Sequence, residues 1–311
     1  GQSRWGDIAL TRWQPDATRD NWGTWLYVQD RASGRLWSAT HQPAGVAPAA
    51  SEVRFYPHKA EFQRTDDQIA LTLEVAVAPD DDVEIRRVTL HNQDEQARRL
   101  ALTSYAEVVM TDPATDQRHP AFSKLFVESE YQSETGALLF RRRPRAASDA
   151  PVFMAHFVLS EGADTARATG YESDRAAFLG RGTAGVAAPA ALAGSRDTGP
   201  GGQLRGSVGA TLDPIMALQY EVELPGGATI QLAFITAAAP AREALQAIIE
   251  RYRAWPSVEH AIGQSRARAE LELRQSALSS ADLERFQTLL SALLYGHHGL
   301  RAEPEVLQAN T

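Results

Sequence analysis

Alternation of apolar and polar side chains with a period of two runs through most of the first 239 residues. Ile69, Leu71, Leu73, Val75 and Val77 share one parity and Ala70, Thr72, Glu74 and Ala76 the other, which predicts a β-strand. Met216, Leu218, Tyr220, Val222 and Leu224 repeat the pattern. Pro225-Gly226-Gly227 then supplies a turn, and Ile230, Leu232 and Phe234 return. Trp25–Asp30 also predicts a strand, which Arg31-Ala32-Ser33-Gly34 turns into Arg35–Ser38. Three more strands are expected at Phe122–Tyr131, Ala137–Arg142 and Val152–Leu159.

The stretch Asp80–Lys124 carries the clearest pair of extended segments. Val83–Leu90 and Arg98–Val109, joined by the polar link His91–Ala97, read as a β-hairpin feeding a loop at His119–Lys124. Within the first segment the apolar set changes phase, from Val83 and Ile85 to Val88 and Leu90. That change requires either a bulge at Arg86-Arg87 or cover on both faces of the strand.

Residues 160–210 lose the period and gain glycine, alanine and proline, so they read as a long loop region of the kind that often carries function. Inside it Asp174–Leu179 looks like a helical turn. Gly180–Gly185 spells G-x-G-x-x-G, but no strand precedes it and no helix start follows, so the dinucleotide fingerprint is rejected. After residue 239 the period becomes helical. Pro240 suits a first helical position, and Leu245, Ile248, Ile249 and Tyr252 fall on one face. Ser257–Ser276 reads as a charged helix. Ser279-x-x-Asp282 forms a capping box for a third helix, whose stripe is Leu283, Phe286, Leu289, Leu290, Leu293 and Leu294. The expected fold class is mainly β: a large antiparallel sandwich over residues 1–239, followed by an α-helical segment over 240–311.

Composition narrows the functions this fold can serve. With 43% hydrophobic and 23% charged residues, the 311-residue chain can fill a sizeable core. A net charge of −8 argues against a nucleic-acid partner. The absence of cysteine removes disulfides, thiolate metal sites and cysteine nucleophiles. No apolar run approaches the roughly 18 residues of a membrane span, and the opening GQSRWGDIAL lacks a signal-peptide layout.

Five of the six tryptophans, Trp5, Trp13, Trp22, Trp25 and Trp37, lie in the first 50 residues. They read either as core filling or as stacking platforms for the apolar face of a sugar ring. Asp80-Asp81-Asp82 lacks calcium-loop spacing and reads as a solvated turn. Arg141-Arg142-Arg143-Pro144-Arg145 reads as a solvated strand end, with a phosphate grip as the other reading. His297-His298 makes a poor metal pair, because neighbours on a helix do not share a face. No G-x-S-x-G elbow, H-E-x-x-H or P-loop occurs, and no spacing marks a glycosidase pair among the 39 carboxylates. No catalytic residue, metal or cofactor is expected.

Five segments resemble the N-terminal super-β-sandwich of the family-36 glycosyltransferases, now grouped with the family-94 glycoside phosphorylases. They are Asp81–Asn92, Leu102–Val109, His119–Val127, Glu172–Gly182 and Val208–Leu218. The opening Ser3-Arg4-Trp5-x-Asp7-x-Ala9-x-Thr11-Arg12-Trp13 is similar to the sandwich module within bacterial cyclic β-1,2-glucan synthases. The resemblance is collinear over nearly the whole chain. It implies a galactose-mutarotase-like sandwich, then linker helices, then an (α/α)6 barrel that is not in this chain and that carries the catalytic acid. It further implies a cytoplasmic segment of an inner-membrane parent that uses UDP-glucose.

The leading expectation is a non-catalytic, carbohydrate-binding module with Trp13, Trp22, Trp25, His119, Phe122, Lys124, Arg175 and Arg181 facing glycan. The expected partners are an oligosaccharide, the neighbouring catalytic domains and a second copy, with no nucleic acid. Two other readings stay open: a scaffold or dimerisation domain for the barrel, and a mutarotase-like enzyme pairing His119 with Glu107 or Glu128.

Overall fold

The computed structural model describes every residue except 15–17, 19, 145–149, 163–164, 183, 194–201, 295–301 and 310–311. The chain opens with β1 (Arg4–Trp5), β2 (Ile8–Thr11), β3 (Trp25–Asp30), β4 (Leu36–Ser38) and β5 (Ala50–Phe55). The long strands β6 (Lys59–Asp66), β7 (Ile69–Val77), β8 (Val83–Asn92) and β9 (Arg98–Thr111) follow. Short helices α1 (Pro113–Arg118) and α2 (Pro120–Lys124) precede β10 (Val127–Gln132), β11 (Ala137–Arg142), β12 (Val152–Ser160) and β13 (Ala166–Asp174). After α3 (Arg175–Leu179) come β14 (Pro214–Leu224) and β15 (Thr229–Ala239). Helices α4 (Arg242–Arg251), α5 (Trp255–Gln275), α6 (Ser280–Leu294) and α7 (Pro304–Gln308) end the chain.

Among the described residues the strands form two antiparallel sheets, as the period-two pattern predicts. One has eight strands in the order β10-β11-β12-β15-β8-β7-β6-β5. The other has seven, β1-β2-β9-β14-β13, with β3 also paired to β9 and β4 to β3. Leu26 and Val28 of the smaller sheet meet Leu71, Val88, Leu90 and Leu232 of the larger one in the space between them. Each such side chain, removed from water, contributes about 1.5–3 kcal/mol.

The hairpin expected from Val83–Leu90 and Arg98–Val109 does not form. β8 pairs with β7 and β15 in the larger sheet, whereas β9 pairs with β2, β3 and β14 in the smaller one. The link His91–Ala97 therefore crosses from one sheet to the other. The turn at Pro225-Gly226-Gly227 makes the reverse crossing, from β14 to β15, beside it. Buried Asn92 ties the two crossings together: its Nδ2 donates to the carbonyls of Gln96, Leu224 and Pro225 at 2.8, 3.1 and 3.2 Å. A Cβ on Gly226 would lie 2.1 Å from the Glu95 carbonyl oxygen, so only glycine fits there.

The phase change in β8 has its cause in the layers. Pairing with β7 and β15 is continuous through Arg86 and Arg87, so there is no bulge. Val83 and Ile85 face outward beneath Leu245, Ile249 and Tyr252, while Val88 and Leu90 face inward between the sheets. The strand is covered on both faces at different points along its length. Helix α4 supplies that outer cover, and Asp81, in the turn before β8, accepts from the Tyr252 hydroxyl at 3.1 Å and pairs with Arg251. The helix begins at Arg242, two residues after Pro240.

Two further expectations are corrected. Phe122–Lys124 is helical rather than strand, because Pro120 opens a turn at α2 and extension resumes only at Val127. The 160–210 region is not all loop: β13 forms the edge of the smaller sheet, and its weak period follows from its exposed outer positions. The helical turn expected at Asp174–Leu179 is α3. Asp174 caps it by accepting from the backbone of Ala176 and Ala177 at 2.7 and 3.3 Å, and its Phe178 stacks on Tyr105.

The chain divides into two compact units, Gly1–Arg266 and Ala267–Thr311. In the second, α6 starts on the expected capping box, with Ser279 Oγ accepting from Asp282 N at 3.2 Å and Asp282 Oδ2 from Ser279 N at 3.0 Å. Phe286, Leu289, Leu290, Leu293 and Leu294 along it are exposed. No helix among the described residues is long and apolar enough to cross a membrane. His297-His298 and Arg145 lie outside the described residues.

Candidate functional site

Glu107, near the end of β9, sits at the centre of a buried charge network. Arg12, just past β2, is fixed first by its backbone, whose N–H donates to the Glu107 carbonyl at 2.9 Å. Its guanidinium then reaches Glu107 Oε2 at 2.7 Å and grips Asp116 of α1 through two nitrogens, at 2.9 and 2.5 Å. Arg175, the first residue of α3, donates to Glu107 Oε1 at 2.7 Å and lies 3.7 Å from Asp213. Lys124, the last residue of α2, pairs with Asp213 and lies 3.9 Å from Glu107. Three cations thus face three carboxylates, and all but Glu107 lie on short segments outside the strand ladders.

Burial works against the charge on Arg12, but Asp116 and Glu107 outweigh it and hold the guanidinium above its ordinary pKa. Arg175 is shifted the same way, with Glu107 as the main opposing partner to burial. The Tyr105 phenol, 3.5 Å from Glu107, is pushed well above its usual value by burial and then by the neighbouring carboxylate. It remains a hydrogen-bond donor rather than a base. Removing a member of its buried core, Arg12, Glu107 or Asp116, typically costs about 3–5 kcal/mol, because its partners are left uncompensated. The network is therefore suited to holding loops in one arrangement, and Glu107, held on both oxygens, is poorly placed to move protons.

The residues expected to face glycan divide into groups. Lys124 and Arg175 meet at the network. Trp22 joins it through Arg12, whose guanidinium carbon lies 6.0 Å from the ring centroid, and this ring is half-buried. Phe122, on the same short helix as Lys124, is 50% exposed and packs edge-on against Phe126. Trp13, next to Arg12, is 38% exposed. His119 is exposed at the junction of α1 and α2, and Arg181 is exposed just past α3. Trp25 is buried among Tyr27, Tyr105, Phe178 and Leu179.

The pairing of His119 with Glu107 or Glu128 has no counterpart among the described hydrogen bonds. Glu107 is held by Arg12 and Arg175, and Glu128 by Arg141 and Arg143 at 2.6 and 3.1 Å. The arginine run at the end of β11 therefore folds back on a neighbouring strand, with Arg142 donating to the Ser123 carbonyl at 2.8 Å.

Arg12, Asp116 and Asp213 carried no chemical signal in the sequence. Asp112-Pro113, a helix-start signature, would have put Asp116 on a helix, but not opposite Arg12. A different signal was available. Arg12, Glu107, Lys124, Arg175 and Asp213 each come from a different segment of those that carry the family resemblance. Segments far apart in sequence converge on one carboxylate.

Comparison with known proteins agrees with that resemblance. The family model "Glycosyl hydrolase 94, supersandwich domain" matches residues 1–255. The chain is 34% identical over 308 residues to the cyclic beta-(1,2)-glucan synthase NdvB of Rhizobium meliloti (strain 1021), covering 99% of this chain and 11% of that protein. It is 26% identical over 173 residues to an N,N'-diacetylchitobiose phosphorylase of Vibrio furnissii, covering 55% of this chain and 20% of that one. A bacterial glucoamylase structure solved with acarbose aligns over 83% of this chain at 8% identity with a TM-score of 0.44, a likeness too weak to bear on function. The chain spans only a small part of the curated relatives that it matches, and it belongs to the glycosyl hydrolase 94 supersandwich domain family.

Proposed function

We propose that this chain is a non-catalytic glycan-holding module that works beside a catalytic domain of a cyclic β-1,2-glucan synthase, on the cytoplasmic side of an inner-membrane parent. The observation that carries the reading is the convergence at Glu107. Ion pairs, buried at Arg12 and partly buried at Arg175 and Lys124, hold the α1–α2 segment, the start of α3 and the stretch after β2 in place, and those stretches carry exposed Trp13 and Phe122 and half-buried Trp22. Aromatic rings on a rigid frame suit the C–H face of a glucose unit, and exposed Arg181 adds a donor for its hydroxyls.

Titration calorimetry with linear and cyclic β-1,2-glucans tests this. Binding in the micromolar to millimolar range is expected, weakened about tenfold in Trp22→Ala, as for loss of one stacked ring. The absence of heat at millimolar glucan would reject glycan holding. It would favour the scaffold reading, in which the exposed leucine stripe of α6 serves a neighbouring domain.

A further inference from the structure

Among the described residues the two sheets end in five terminal strands, and four of these are closed to further pairing or too short for it. β1 and β4 have two and three residues. β10 is engaged along its outer side at Ser129, which exchanges backbone hydrogen bonds with Gly209 at 3.0 and 2.8 Å. The outer side of β13 is occupied in the same way, with Gly206 donating to Tyr171 at 2.9 Å and Ser173 to Ser207 at 3.1 Å.

β5 is the exception. Among the described residues it pairs with β6 alone, and each of its six residues is exposed. The Tyr56 N–H donates to the Lys59 carbonyl at 2.8 Å, so Tyr56, Arg54 and Glu52 turn their backbone groups toward β6. By the same alternation Ser51 and Val53 turn theirs outward, where no hydrogen bond among the described residues meets them.

Sheet edges are commonly guarded against a second chain by lysine or proline. β5 contains neither; its Val53 is 51% and its Phe55 60% exposed. Its two charges are of opposite sign and share the face away from Val53, where Glu52 accepts both arms of Arg54 at 2.7 Å.

This spacing makes the strand complementary to itself. In an antiparallel pair with a second copy, outward groups meet only in registers centred on a residue, not between two. Centring on Glu52 or on Arg54 sets like charges face to face, which is unfavourable. Centring on Val53 sets Glu52 against Arg54 of the second copy, twice by symmetry, and lets the two Val53 residues exchange both backbone hydrogen bonds. Registers centred further out shorten the ladder. From this we infer that β5 is a homodimer contact, joining the eight-stranded sheets of two copies about a two-fold axis at Val53. The contact is independent of glycan holding.

Analytical ultracentrifugation of the chain from about 1 µM to about 1 mM tests this. Reversible dimerisation within that range is expected, since so short an interface associates weakly. Val53→Pro removes the outward N–H and leaves the β6 ladder intact, and it is expected to weaken dimerisation at least about tenfold. Glu52→Arg and Arg54→Glu each set like charges opposite one another, and each alone is expected to weaken it about tenfold. An equimolar mixture of those two variants restores opposite charges across the contact and is expected to dimerise as the natural chain does. That mixing result holds whether or not the proline variant folds. A chain that stays monomeric at the highest concentration, a dimer insensitive to Val53→Pro, or charge variants that fail to recover on mixing overturns the inference. A dimer abolished instead by Leu289→Gln with Leu293→Gln also overturns it, since the contact would then lie on α6.

Discussion

At the scale of single residues, polar side chains inside the sandwich do as much to define it as the apolar ones. His156 on β12 is fully enclosed, with Nδ1 3.1 Å from Thr236 Oγ1 in its own sheet and Nε2 2.9 Å from Ser104 Oγ on β9 in the other. It is a tie between the two layers. Burial lowers its pKa to about 4. Between that value and the ordinary 6.5, the unfolded chain binds a proton that the folded chain does not. Stability from this residue is therefore complete above about pH 6.5 and is lost as pH falls toward 4, by about 3 kcal/mol in all. Urea unfolding at pH 7 and pH 5 is expected to show a clear loss in the natural chain and a smaller one in His156→Gln. Equal losses in both would assign the acid sensitivity elsewhere. Eight histidines stand in the sequence, and none of the patterns around His156 sets it apart; its role needs β9 to lie across from β12.

At the scale of elements, periodicity located most strands to within a residue or two but not their partners. Ala137–Arg142 and Trp25–Asp30 form as expected. The segments flanking His91–Ala97 are strands too, yet they belong to different sheets. A hairpin and a sheet-to-sheet crossing have the same apolar alternation, because each requires only one buried face per strand. What distinguishes them here is the packing of the two crossing loops on each other. That packing predicts that Gly226→Ala, which forces a side chain against the Glu95 carbonyl, destabilises the chain by about 1–3 kcal/mol. Chemical denaturation measures it, and a change near zero would mean that the two loops separate freely.

At the scale of the whole molecule, the Gly1–Arg266 unit is layered, with α4 over the outer face of one sheet and α3 with its following segment over the other. The Ala267–Thr311 unit has a different character. Its α6 carries the most apolar stripe of the terminal helices, and that stripe is exposed. Replacing Leu289 and Leu293 with glutamine is accordingly expected to change the unfolding free energy by less than about 0.5 kcal/mol for each site. A loss of several kcal/mol in urea unfolding would show that the stripe is covered in solution.

Sequence alone determined the class of the fold, the positions of most strands and helices, the cap of α6 and the family, because each of these rests on local period, on capping chemistry or on contiguous residues that resemble known ones. It also singled out Lys124, Arg175 and Trp22, which the structure brings together at the Glu107 network, with Lys124 buried there rather than facing outward. Tertiary structure decided which strands share a sheet, why β8 changes face, and that Arg12, Glu107, Asp116 and Asp213 complete one network. Those outcomes depend on contacts between residues about a hundred positions apart, such as Arg12 with Glu107 and Asp116. No local pattern encodes such a contact, since its free energy exists only once both partners have been removed from water together.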